Sequence, residues 1–145
     1  MTTFSEMLAK AMREKKPRRK PRELEHQLQV ACVKWFRMRY PQFAKSLFAV
    51  PNGGWRNEAV AAKLKAEGVL AGVADLLLLE ANWEYRGLAI ELKTKDGRQS
   101  KAQEEWMRYI TGRGWQYVIV RSIDQFIRWW RSIWSIEELG VRSEE

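Results

Sequence analysis

Residues 72–103, GVADLLLLEANWEYRGLAIELKTKDGRQSKAQ, decide how the whole chain reads. The segment divides into strand, turn, strand, turn and the start of a helix. Residues 88–93 alternate as a half-buried strand does, with Ile90 and Leu92 on one face and Glu91 and Lys93 on the other. At roughly 3.3 Å of rise per residue, the attachment points of Glu91 and Lys93 lie about 6–7 Å apart on their shared face. A carboxylate and an ammonium so placed can form a plain ion pair. Asp75, which opens the preceding strand, argues for more. Aspartate is depleted in strands, and a second carboxylate beside Glu91 repels it unless a cation lies between them. Two acids and a lysine on an apolar background therefore point to a site for a hard divalent metal.

The 145 residues suit one domain, whose core would bury about two-thirds of the unfolded surface. A composition 46% hydrophobic and 30% charged places the chain among soluble globular proteins. No apolar run approaches the ~20 residues of a membrane span, and no secretory signal opens the sequence. The expected setting is cytoplasmic. Cys32 is the one cysteine, so no internal disulfide forms; on the apolar side of a helix it reads as a buried structural thiol. One cysteine and one histidine leave no zinc site. The 26 basic residues outnumber the 18 acidic ones, and the net charge of +8 favours a polyanionic partner, nucleic acid first. No basic helix with a lipid-facing stripe argues for a membrane surface.

Towards the N-terminus, residues 1–14 read as a short helix with Ser5 as N-cap. Residues 15–22, KKPRRKPR, carry Lys15, Lys16, Arg18, Arg19 and Lys20 in a basic run divided by two prolines, which makes a mobile arm. That arm is either a solvated tail or one that tracks phosphates without sequence preference. The division is thus a basic arm at 1–22, a folded domain at 23–135 and a short acidic tail at 136–145. Residues 22–39 form a helix whose apolar stripe is Leu24, Leu28, Ala31, Cys32, Trp35 and Phe36, stopped by Pro41. Glu25 lies one position from the stripe. There it would favour the helix macrodipole by roughly 0.3–1 kcal/mol, as Glu23 would equally. His26, on an exposed turn, reads as a surface or nucleic-acid contact rather than a general base. Residues 45–50 make a short strand ending in Pro51-Asn52-Gly53-Gly54, a turn signal. Residues 57–67 then form a helix with Gly68 as its C-cap.

Towards the C-terminus, Ser100-Lys101-Ala102-Gln103 fits a capping box, in which the Gln103 amide bonds back to the Ser100 backbone. The helix it opens runs through Trp106 and Ile110 to Gly112 or Gly114. Residues 116–120 are a β-branched strand. Ser122–Gln125 offer a second capping box, opening a helix with Phe126, Ile127, Trp130, Ile133 and Trp134 on its apolar stripe. Trp129 on another side extends the apolar circumference, which suggests a self-association surface. Helix, strand, helix, two strands, helix, strand, helix implies an α/β domain with a mixed central sheet flanked by helices. No repeat and no second domain is visible.

The order Asp75, then Glu91-Leu92-Lys93, then Gln103 resembles the active site of the PD-(D/E)XK nuclease superfamily. More narrowly, it is similar to the VRR-Nuc family of small metal-dependent, structure-specific nucleases common in phages and bacteria. EHQLQ at 25–29, PNGG at 51–54 and GVLAGVAD at 68–75 add to the match, which spans roughly residues 22–130. The resemblance implies a restriction-endonuclease-like fold and a Mg²⁺ or Mn²⁺ ion held by Asp75, Glu91 and the Leu92 carbonyl. Glu25 would be an outer ligand acting through water, or would bind a second ion. Lys93 would orient the attacking water or stabilise developing negative charge; Lys95, on the same strand face, is set aside by the E-x-K spacing. Gln103 would position the water or the metal, a role that stands beside its capping role. The loop carrying Asn52 and Gly53 would lie near the site, with freed amides approaching a phosphate and Arg56 as a further phosphate contact. The family also implies a homodimer that cuts branched DNA, such as four-way junctions or flaps, in the host cytoplasm where it is phage-encoded. The long basic arm and the Trp-rich last helix depart from the pattern. Two other readings stand: a non-catalytic nucleic-acid-binding protein on a nuclease-like fold, and a sequence-specific restriction-type nuclease, for which the small size leaves little room.

Overall fold

Helix α1, Pro21–Arg39, starts on a proline whose missing N–H is one that a first turn leaves unpaired anyway. Lys20, expected in the arm, is its exposed N-cap. The computed structural model describes Glu6, residues 20–51 and residues 57–132. The expected first helix, arm residues Lys15, Lys16, Arg18 and Arg19, loop residues Asn52, Gly53 and Arg56, and Ile133, Trp134 and the acidic tail lie outside the described residues.

Next come β1 (Leu47–Ala49), α2 (Glu58–Ala66), β2 (Leu76–Leu78), β3 (Leu88–Leu92), α3 (Lys101–Gly112), β4 (Gln116–Val120) and α4 (Ile123–Ser132). The elements fall in the expected order, with one short 3₁₀ turn at Pro41–Phe43 after α1. The sheet runs β1-β2-β3-β4. β2 is antiparallel to both neighbours, while β3 and β4 are parallel, joined through α3. This is the mixed α/β sheet anticipated, because a parallel pair needs a crossover and a helix supplies it.

The half-buried reading of β3 fails: all five of its residues are buried. An interior strand with helices packed over the sheet loses its solvent face, so polar Glu91 is buried with the rest, 1% exposed. The core gathers Cys32 and Phe36 of α1, Leu47, Leu76, Leu78, Leu88, Ile90 and Leu92 of the sheet, and Phe126 and Trp130 of α4. Burial pushes the Cys32 thiol up to about 12, the inert behaviour expected of it. Leu24, assigned to the same stripe, is instead 42% exposed, because the first turn of α1 extends past the sheet's cover. Trp129 overturns its assignment too: it is 8% exposed, its ring 5.2 Å from that of Trp130 in the core. It therefore offers no surface for self-association.

Local signals explain the helix ends. Asn57 caps α2 by accepting from the Val60 N–H at 2.8 Å, and Gly68 follows that helix at φ +99°. Ser100 and Gln103 form the full capping box of α3. At α4 the box is only half made: Ser122 Oγ accepts from the Gln125 N–H, but Gln125 Oε1 accepts from the Arg121 N–H, one residue earlier than the motif predicts.

Candidate active site

Asp75 immediately precedes β2. Continuing the β2–β3 register by one residue from Leu76↔Ile90 sets Asp75 opposite Glu91. Just outside β2, the Asp75 carboxylate accepts the Leu92 N–H at 2.7 Å. The Leu92 carbonyl, on the same side of an extended strand as its N–H, is thereby directed towards Asp75. Val50 N–H donates to the Asp75 carbonyl at 2.9 Å, which ties the end of β1 to the same spot.

Glu91 is enclosed by polar partners. Gln103 Nε2 donates to its Oε1 at 2.7 Å, and the Tyr117 hydroxyl donates to its Oε2 at 3.0 Å. Lys93 Nζ stands 3.9 Å from Oε1, on the face the strand alternation predicted. Burial first, and then the charge of Asp75, push the Glu91 carboxyl up from 4.5 to about 8, against the opposing pull of the Tyr117 bond and Lys93. Burial and repulsion from Asp75 thus favour the protonated form of Glu91. A bound cation would relieve that repulsion.

The Gln103 side chain serves both of its expected roles. Its Oε1 accepts the Ser100 N–H at 2.8 Å as the helix cap, while its Nε2 reaches Glu91. Lys95 lies beyond the end of β3 and is exposed, so it does not share the strand face with Glu91 as the alternation suggested. Tyr117 went unrecognised in the sequence, where it looked like one more strand residue. Its partner Gln99 donates to the Tyr117 hydroxyl at 3.1 Å, so the turn before α3 also supports the acid.

Gly72 fixes how α3 approaches. Its φ is +87°, and a Cβ built there would run into the Ala102 carbonyl. Only glycine lets the chain leading to Asp75 pass directly under the first turn of α3, beside Gln103.

A cavity of about 300 Å³ opens over Asp75 and Leu92, bordered by Arg22, Glu25, His26 and Gln29 of α1 and by Val50 and Pro51. Glu25 thus faces the cleft that holds Asp75. It does not join the acids directly: among the described residues, no three His, Cys, Asp or Glu side chains group closely enough to hold a metal. The available donors are two carboxylates and a main-chain carbonyl, all oxygen, a set suited to a hard divalent cation rather than to zinc. Arg22 and Gln29 are further additions that the apolar pattern of α1 did not reveal.

The fold is a mixed α/β sheet that sets Asp75 beside a buried glutamate, with a lysine and a glutamine on that glutamate and a cavity over Asp75 bordered by Arg22 and His26. The model of the VRR-NUC domain matches residues 12–124, and the chain belongs to that nuclease family. A solved structure described as a VRR_NUC domain protein is similar over 80% of this chain and 89% of its own, at 27% identity and a TM-score of 0.65. No curated protein matches the chain. As a member of a nuclease family its substrate is DNA; among the described residues no helix is long and apolar enough to cross a membrane.

Proposed function

We propose that the protein is a Mg²⁺- or Mn²⁺-dependent endodeoxyribonuclease that hydrolyses phosphodiester bonds in branched DNA, at four-way junctions or flaps. The observation that carries this reading is Asp75 set opposite the buried Glu91, where burial first and the charge of Asp75 second raise the Glu91 carboxyl to about 8. Asp75, Glu91 and the Leu92 carbonyl would hold the cation, with Glu25 reaching it through water. Such an ion, when bound, activates water and polarises the scissile phosphate.

The other residues act around it. Lys93 brings a compact positive charge to within 3.9 Å of Glu91 and stabilises the charge that develops on the phosphoryl oxygens. Gln103 has two N–H donors on one nitrogen; one fixes Glu91, and the second is available to position a water. Arg22 and His26, bordering the same cavity, steer the DNA backbone towards it. A two-fold dimer would present two such sites to the symmetric strands of a junction.

The test is cleavage of a labelled four-way junction, a flap and a plain duplex with Mg²⁺, Mn²⁺ or chelator, comparing wild type with Glu91→Ala. Metal-dependent cutting of branched DNA, lost in the variant, is expected. Binding without cutting under every condition would instead support a non-catalytic nucleic-acid-binding protein, and cutting at one duplex sequence a restriction-type enzyme.

A further inference from the structure

A second concavity, of about 550 Å³, runs along α1 from the catalytic cleft. His26 and Gln29 border both, so the two are continuous. Its floor is apolar: Val30, Val33 and Met38 of α1, with Ala49 of the edge strand β1. Val30 is 51% and Met38 75% exposed, so the core does not use them. Lys34 and Arg37, both exposed, form its basic rim.

These residues sit three and four apart along α1 on a face beside the Leu28, Cys32 and Phe36 face that packs on the sheet, with Val33 at the boundary packed against the core as well. The twelve steps from His26 to Met38 span about 18 Å at 1.5 Å per residue. At 3.4 Å per nucleotide, that is room for about five stacked nucleotides.

Building on the nuclease reading, we infer that this groove receives an unpaired strand of the DNA substrate, leading it along α1 into the catalytic cleft. A duplex shows its phosphates outward and stacks its bases inside, so an apolar floor would gain nothing from it. An unpaired strand offers base faces to apolar side chains and phosphates to a basic rim at the same time. A second copy of a chain with net charge +8 would meet the Lys34–Arg37 rim with the wrong sign. The substrate class is thereby narrowed to branched DNA with a single-stranded arm, a flap or splayed end rather than a fully paired junction.

The test measures binding in chelator, by anisotropy of end-labelled DNA, so that it does not depend on cleavage. The probes are a flap with a single-stranded arm, a fully paired four-way junction and a plain duplex. Val30→Glu/Met38→Glu, at two exposed positions, should weaken binding of the flap roughly tenfold or more while leaving the junction and duplex near wild type. Lys34→Ala/Arg37→Ala should lower the slope of log K against log salt on the flap by about 1.4, the value for two phosphate contacts on a single strand. Circular dichroism melting confirms that each variant is folded. Equal loss on all three probes, or none on any, overturns the inference, as does conversion of a dimer to a monomer by Val30→Glu/Met38→Glu. Wild type that cuts the flap while the groove variants bind normally would sink the groove and spare the nuclease. Arm-dependent binding with no cutting by wild type would do the reverse.

Discussion

Glu91 is the buried carboxyl at the centre of the proposed site, and its titration has a definite sign. The folded chain keeps a proton on it up to about pH 8, whereas an unfolded carboxyl gives it up near 4.5. The native state therefore binds more protons across that window, and stability falls as pH rises from about 4.5 to about 8, then levels. In chelator, the melting temperature should decline over that range, and Glu91→Gln should flatten the decline. Asp75, Lys93 and Tyr117 are the charged or titratable groups facing it, and each modifies the profile. Added Mg²⁺ or Mn²⁺ should raise the melting temperature more at the alkaline end, because binding must displace the proton. Tyr117→Phe removes a hydrogen bond that favours the ionised acid. It should push Glu91 higher still and cost about 10–100-fold in metal affinity at neutral pH; calorimetric titration near pH 7, with partial recovery near pH 9, checks this.

At the scale of elements, α3 is joined to the site twice. Ser100→Ala removes a cap and should cost about 1 kcal/mol, leaving the Gln103–Glu91 bond in place. Gln103→Glu keeps an acceptor for the Ser100 N–H but sets a carboxylate against Glu91, so it should abolish cleavage while the cap survives. Measuring melting and turnover on both variants separates the two roles, which a Gln103→Ala change would confound. Gly72→Ala should destabilise by about 2–4 kcal/mol, combining the cost of a positive φ with overpacking against Ala102; chemical denaturation reads it. The helix and strand periods were legible here, down to the Ser100 box. Tyr117 was not, because its neighbour across the sheet comes from a strand 26 residues away in sequence, and no local pattern says which strand will lie beside which.

For the molecule as a whole, +8 net charge makes DNA affinity strongly salt-dependent. If the basic arm tracks phosphates, removing residues 1–19 should reduce the salt slope of duplex binding. An unchanged slope would show the basic arm to be a solvated tail. The sequence by itself determined the order of elements, the apolar stripes of the helices and the acid–lysine set, since these follow from short-range periodicity and residue chemistry. It also misjudged what periodicity cannot reach. Whether Glu91 is half-exposed or enclosed, and whether Trp129 faces solvent or the core, depends on what covers each face. Only the tertiary structure decided these points, because burial is set by elements distant in sequence. The same packing placed Glu25 across the cleft from Asp75, put Tyr117 on Glu91, and left the outer face of α1 open as a groove into the site.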